Sequence, residues 1–217
     1  FRNSSINKED SSSLMRMGMP VGLQMGMETA SFSLTAVMVG WIGTTALAAH
    51  QVMLTVGQLG FMMYYGMAAA VAVLSSTYHG RSDMDSVRRI VSSGFRIILV
   101  MAAMVCVPLL VFRGQIGHLF TEDTQVVEMV SMLVIPFVIY QFGDGLQCNY
   151  SNALRGISDV KKVSYYAFIA YFLVSLPSAY IFGFVFDWGL TGIWFSFPLG
   201  LTTAGLLFYL RFRKSVR

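Results

Sequence analysis

Charge is scarce in this chain: Asp, Glu, Lys and Arg make up 12% of its 217 residues, about half the share usual in soluble domains. Together with 55% hydrophobic residues and a mean hydropathy of +0.63, that shortage excludes both a soluble globular domain and a disordered chain. Cysteine is limited to Cys106 and Cys148. Neither belongs to a C-x-x-C pair, so a disulfide framework or thiolate metal centre is excluded and both read as small buried apolar residues. Of three histidines, His50 reads as a structural hydrogen-bond partner near the outer end of an apolar run, and His79 and His118 as loop residues. No H-E-x-x-H, phosphate-binding loop or nucleophile beside a base occurs. No basic stripe interleaves with aromatics, so the pI near 9.2 gives no reason to expect nucleic acid. The polar opening residues are unlike a signal peptide and the chain starts on Phe1, which suggests one part of a longer protein.

What the chain has in abundance is long apolar runs. Six of them, 15–40, 47–78, 90–112, 126–150, 163–186 and 190–212, each reach the roughly 20 residues a helix needs to cross the hydrocarbon core. The expectation is an all-α membrane protein whose residues 14–217 form one bundle of six transmembrane helices, preceded by a polar linker or tail over 1–13. Fourteen of the 15 Lys and Arg residues fall at one end of the spans and only Arg113 at the other. That asymmetry places both termini in the cytoplasm. Trp41, Trp188 and Trp194 then all fall at the outer boundary, where amphipathic rings suit the headgroups, and Arg88 and Arg89 anchor a helix end at the inner one.

The inner turns share a pattern, Gly80-Arg81-Ser82-Asp83 and Gly156-Ile157-Ser158-Asp159, with Gly ending one helix and Ser or Asp free to cap the next. On the outer side, 115–120 suit a short interfacial turn before Thr121 or Asp123 caps the fourth span. Clusters such as Met15, Met17, Met19, Met25 and Met27, or Met62, Met63 and Met67, suit either an adaptable ligand surface or lipid-facing bulk.

Two acids sit at membrane depth, Glu28 in the first span and Asp144 in the fourth. Inserting an ionisable group there costs roughly 2.5 kcal/mol or more, so each must face protein or a watery cavity. At 3.6 residues per turn, Gln24, Glu28, Ser31 and Thr35 share one stripe, while Gly18, Gly22, Gly26 and Ala30 form a ridge on which a neighbouring helix can close. The polar stripe therefore turns to a central cavity. Asp144 lies in line with Pro136, Tyr140 and Gln147 and between Gly143 and Gly145, which suggests a pliable segment offering a freed carbonyl as well as side chains. Two carboxylates, a phenol and a carbonyl make an all-oxygen set suited to a proton or a hard cation such as Na+.

Further residues point to a family. Ala48-Ala49-His50-Gln51, Leu119-Phe120 followed by Asp123, Gln141 to Gln147 around Asp144, Leu154-Arg155-Gly156 followed by Asp159, and Gly189 with Gly192 and Trp194 together resemble, in order and spacing, the C-terminal half of NorM-like multidrug and toxic compound extrusion (MATE) transporters. The inner turn at Tyr78-His79-Gly80-Arg81 is less glycine-rich than that pattern. The resemblance implies twelve helices in two six-helix bundles, of which this chain is the second, with the N-terminal bundle as its partner. It implies an integral plasma-membrane protein, in the inner membrane if bacterial, that exports cationic or amphipathic small molecules against inward Na+ or H+. It also implies that Glu28, Tyr140 and Asp144 bind the coupling cation, with Gln24, Ser31, Thr35 and Gln147 on the cavity wall. No covalent cofactor is expected.

Three alternatives stand beside it. A lipid-linked oligosaccharide flippase of the same superfamily would carry cationic residues facing its cavity, and no Lys or Arg lies mid-span. An intramembrane carboxylate enzyme is disfavoured because Gln141-Phe142-Gly143-Asp144 lacks the first Gly of G-x-G-D. The last is a non-transporting assembly half.

Overall fold

The computed structural model describes residues 8–216, with only the backbone of Lys8 and Asp10; residues 1–7 of the expected tail lie outside the described residues. Regular structure among these residues is helical throughout. Six long helices, α1 (Lys8–Ile42), α2 (Thr44–Gly80), α3 (Met84–Val111), α4 (Thr124–Gly156), α5 (Val163–Val185) and α6 (Gly189–Ser215), form one bundle. Residues 8–13, expected as tail, instead extend the first span as helix. They contain neither Gly nor Pro to stop it. Helices α2 to α6 are long and apolar enough to cross a membrane. Helix α1 has the length, but Gln24, Glu28, Thr29, Ser31 and Thr35 lower its apolar content.

The two inner turns fold alike. The Asp83 amide reaches five residues back to the Tyr78 carbonyl at 3.0 Å, and the Asp159 amide reaches Leu154 at 2.9 Å. Serine, not glycine, takes the left-handed position in each, Ser82 at φ 59° and Ser158 at φ 61°. Both turns are the helix-ending motif that folds the chain back onto its last carbonyls. The two aspartates then diverge. Asp83 caps α3, accepting from the Ser86 amide at 3.0 Å and hydroxyl at 2.6 Å, and these bonds hold its carboxyl below the ordinary range. Asp159 instead accepts from Arg211 Nη2 of α6 at 2.9 Å and from the Ser215 hydroxyl, and is ion-paired to Arg211 with Nε at 2.7 Å.

Burial alone would raise the Asp159 carboxyl, but the Arg211 and Ser215 hydrogen bonds and the Arg211 charge prevail and hold it below the usual value. A carboxylate depressed on folding adds stability above its unfolded pKa of about 3.9 and loses it as pH falls through the folded value. Asp159→Asn is therefore expected to cost on the order of 1–3 kcal/mol at neutral pH. Thermal melts should show that gap narrowing below about pH 4, and a gap that is the same at every pH would disprove the assignment. Arg88 and Arg89, expected at the headgroups, bond within the protein: Arg88 to Asp85 at 3.1 Å and to the Val216 carbonyl, Arg89 to the Ser86 hydroxyl at 2.9 Å. At the other end of the bundle, a single turn at Gly117–Leu119 precedes Asp123, which caps α4 by accepting from the Gln125 amide at 2.9 Å, as the sequence suggests.

Helix α4 is the centre of the bundle, packed along its length on α6 and α2. Small residues decide how closely. On α6, Gly192, Ser196, Gly200 and Ala204 recur every four residues and are buried, as are Ser175, Ala179 and Gly183 at the same spacing on α5. A Cβ on Gly192 would stand 2.4 Å from the Phe182 carbonyl oxygen, and one on Gly200 2.6 Å from the Ser175 Cβ. The close-packed ridge is here. The ridge expected on α1 is not: Gly18, Gly22 and Gly26 have nothing within 4 Å of an added Cβ. Glycine spacing shows that a helix can be approached, not by what. Gly143 and Gly145 are likewise contact points, facing Thr202 of α6 and Ile98 of α3, and α4 runs unbroken through Pro136.

Trp41 and Trp188 are exposed, as suits a boundary, but Trp194 is 1% exposed and packs in the core. It lies one turn inside α6, where its ring meets His50 at 5.6 Å and Phe197 at 5.3 Å. His50 is buried among these rings with no hydrogen-bond partner among the described residues, contrary to the expected role. Cys106 and Cys148 are free and buried. Most clustered methionines, including Met15, Met19, Met62 and Met63, are exposed on outer faces.

Candidate functional site

Helix α1 leans on α5 and α2 and is not among the close neighbours of α4. The space between α1, α2 and α4 is a cavity of about 410 Å³, within the range of small-molecule sites. Both membrane acids stand on its wall. Glu28 of α1 is half-buried, and Asp144 of α4 is 2% exposed. Tyr140, one turn before Asp144, and Gln147, one turn after, line the same space, as does Gln24. Spans 116 residues apart thus place their carboxylates on one cavity. Apolar and aromatic walls complete it, with Met25 and Phe32 from α1 and Leu54, Phe61 and Tyr65 from α2.

Side chains alone bridge α1 to α4. Gln147 Nε2 donates to Glu28 Oε2 at 3.2 Å and to the Tyr171 hydroxyl of α5 at 3.0 Å. One turn nearer the α4 C-terminus, Gln24 exchanges hydrogen bonds with the Ser151 hydroxyl at 3.1 and 3.3 Å and accepts from Arg155 Nη2 at 2.9 Å. Tyr140, Asp144, Gln147, Ser151 and Arg155 all face the cavity at three- and four-residue spacing. They form one polar stripe along α4. Ser31 and Thr35, expected on the wall, are buried off it, and the Thr35 hydroxyl returns to the Ser31 carbonyl at 2.8 Å. Thr29 and Phe32 take their place because the wall follows the α1 face turned to α2 as well as α4. Met132, whose carbonyl Pro136 deprives of its partner, is not part of the wall.

The sequence reading missed the wall residues Thr29, Gln58, Ser151, Asn152 and Arg155 and, behind the wall, Tyr171. Arg155 reads from charge alone as an inner-loop cation, yet the spacing that linked Tyr140, Asp144 and Gln147, continued two turns, reaches it. Tyr171 carries no such signal. It lies in α5 where the helix widens to five-residue hydrogen bonds over Ile169–Ser175, its carbonyl accepting from the Leu176 amide just before Pro177. That proline marks a distortion without saying which side chain it turns inward. Among the described residues no cluster of His, Cys, Asp or Glu suits a resident metal. The site is one of carboxylates, amides, hydroxyls and the Arg155 guanidinium on partly aromatic walls.

Residues 20–181 match the MatE family model. The chain is 36% identical over 204 residues to a probable multidrug resistance protein NorM of Xanthomonas axonopodis pv. citri (strain 306), covering 94% of this chain and 44% of that protein. It is 32% identical over 201 residues to the multidrug resistance protein MdtK of Yersinia enterocolitica, covering 91% and 44%. Its fold superposes on an outward-facing multidrug resistance MATE family transporter with a TM-score of 0.90 at 19% identity, covering all of this chain and 49% of that one. A MATE crystallised with MaL6 gives 0.88 at 21%, with 100% and 49% covered. The chain spans about half the length of the curated relatives it matches. With a family model covering most of its length and relatives above 30% identity, this six-helix membrane bundle belongs to the MatE family.

Proposed function

We propose that this chain is the C-terminal bundle of a cation-coupled multidrug efflux antiporter, with an N-terminal six-helix bundle as its other half and both termini of this chain in the cytoplasm. One observation carries the reading: Glu28, Tyr140 and Asp144 stand on a single cavity whose remaining wall is largely apolar and aromatic. Carboxylates satisfy a positive charge and aromatic faces add cation–π attraction, so an amphipathic cation and a small coupling cation find the same groups attractive. Competition for them is the differential that exchange requires. Na+ or H+ is the coupling ion, transported and not resident, and no covalent cofactor takes part.

Full-length protein in liposomes, loaded with a fluorescent lipophilic cation, should expel it when an inward Na+ or H+ gradient is imposed. Dissipating the gradient with an ionophore should reduce the rate by at least about tenfold; a rate indifferent to both gradients would sink the proposal. A lipid-linked oligosaccharide flippase gains one observation, the Arg155 guanidinium on the wall. Arg155 is already bonded to Gln24 and shares the cavity with two carboxylates. Cation export therefore remains the better reading.

A further inference from the structure

Helix α3 carries a polar stripe that the cavity does not use. Its buried face is Val87, Val91, Gly94, Ile98 and Ala102, set against α2 and α4. At 3.6 residues per turn, Arg89 and Arg96 fall about 20° apart on the opposite face, with Ser92 and Ser93 between them along the helix. All four are exposed.

Depth sets this stripe apart from the other basic residues. Arg96 stands beyond Ile90, where the apolar run opens, by about 9 Å at 1.5 Å per residue. A charge inside the hydrocarbon needs a counter-charge or water. The protein supplies no counter-charge: Arg96, Ser92 and Ser93 have no side-chain hydrogen bond or ion pair among the described residues, and no Asp or Glu occurs between Asp85 and Glu122. Arg89 donates from Nη2 to the Ser86 hydroxyl at 2.9 Å and keeps its other donors. Asp83, which feels the Arg89 charge, is already held by the Ser86 amide and hydroxyl.

The surroundings say what fits. Side chains on a helix tilt toward its N-terminus, so Arg96 reaches back over the two hydroxyls toward Arg89. Guanidinium forks match phosphate oxygens in pairs, and serine hydroxyls add single donors. Toward the other end of α3 the same side continues in exposed Val100, Met104 and Val107, which suits an anion that carries apolar chains. That side turns away from the cavity, because α3 contributes no residue to the cavity wall and packs chiefly on α2 and α4. A second bundle closing the cavity would therefore leave it to lipid.

We infer that Arg89, Ser92, Ser93 and Arg96 form a binding site for the phosphate of an anionic phospholipid, in the leaflet at the cation-rich end of the bundle, with its acyl chains along Val100, Met104 and Val107. Net charge is what selects this lipid. A zwitterionic headgroup brings its own ammonium, which the two arginines repel, whereas an anionic one adds only attraction.

The test uses the purified full-length protein in detergent, titrated with phosphatidylglycerol or with phosphatidylcholine of the same acyl chains, and read by thermal stability and by native mass spectrometry of retained lipid. Phosphatidylglycerol should half-saturate at a concentration lower by about fivefold or more. Arg96→Gln should weaken phosphatidylglycerol by about fivefold or more and leave phosphatidylcholine within about twofold. Lys161→Gln removes an exposed cation from the turn between α4 and α5, at the same end of the bundle, and should change neither. Equal affinity for the two lipids overturns the inference. So does an equal loss in Lys161→Gln and Arg96→Gln, which would mean diffuse attraction by the whole basic rim and no site. Glycerol phosphate is the remaining arm: stabilisation by it equal to that by phosphatidylglycerol would make the ligand a soluble phosphate and overturn the lipid assignment. Melting in phosphatidylcholine alone shows whether each variant is folded; if Arg96→Gln is not, Arg89→Gln and the lipid preference of wild type decide.

Discussion

Asp144→Asn in the full-length protein is expected to abolish ion-driven export while leaving the protein inserted and folded. The substitution keeps the size and planar shape of the side chain and removes its charge from a position that is 2% exposed. Losing a buried charge from a desolvated ion pair typically costs about 2–5 kcal/mol, which is about thirtyfold to a few thousandfold in affinity for a bound cation. Among the described residues no hydrogen bond to another side chain holds the acid in place and its Oδ2 is orphaned, so the fold should be no less stable with the amide. Efflux of a lipophilic cation from liposomes, paired with melting temperature, separates the two effects. Wild-type export by Asp144→Asn would remove the acid from the mechanism, and a collapsed melting temperature would make it structural.

Gly192→Ala is expected to have the largest effect on stability. A methyl there meets backbone on the facing helix, the Phe182 oxygen at 2.4 Å and its carbonyl carbon at 2.7 Å, with the Trp188 Cβ at 2.8 Å. Backbone cannot rotate aside as a long side chain can, so α5 and α6 must separate. Overpacking of this kind costs about 3 kcal/mol or more. The neighbouring contacts spread the damage, because Gly183 meets Ile193 and Gly200 meets Ser175 along the same crossing. Fluorescence-detected size exclusion and melting of the full-length protein would report it as lost monodisperse yield or a melting point lower by several degrees. An unchanged melting point would show that α5 and α6 are not so closely apposed.

Much of this was legible beforehand, for identifiable reasons. Six apolar runs became six helices because lipid leaves the backbone no partner but itself. Glu28, Tyr140 and Asp144 were readable as neighbours on a cavity because charge is too costly at that depth to face anything else, and helical spacing alone aligned Tyr140, Asp144 and Gln147. What failed were inferences about which partner a face meets. The α1 glycines looked like a packing ridge and touch nothing here, whereas the α5–α6 ridge mixes Gly with Ser and Ala and gives a fainter pattern. Trp194 looked like a boundary residue because its depth depends on where α6 begins, and Gly189 at φ 56° starts that helix only one turn earlier. Ser31 and Thr35 share a stripe with Glu28 but not its neighbour. Sequence period gives the face of a helix, and only the fold gives what lies opposite.

The bridging of α1 to α4 by side chains has an energetic consequence for how such a bundle moves. Parting two helices that pack closely exposes apolar surface at about 25 cal/mol per Å². Parting α1 from α4 breaks the bonds of Gln24 and Glu28 with Gln147, Ser151 and Arg155 instead. The neutral bonds are worth only about 0.5–1.5 kcal/mol net each and those to Glu28 and Arg155 about 1.5–3, since water replaces them. The seam therefore opens at a cost of a few kcal/mol, comparable with what the binding of one ion or one drug molecule supplies. Because Glu28 belongs both to that seam and to the proposed cation site, loading the site as proposed and loosening the seam would draw on the same carboxylate.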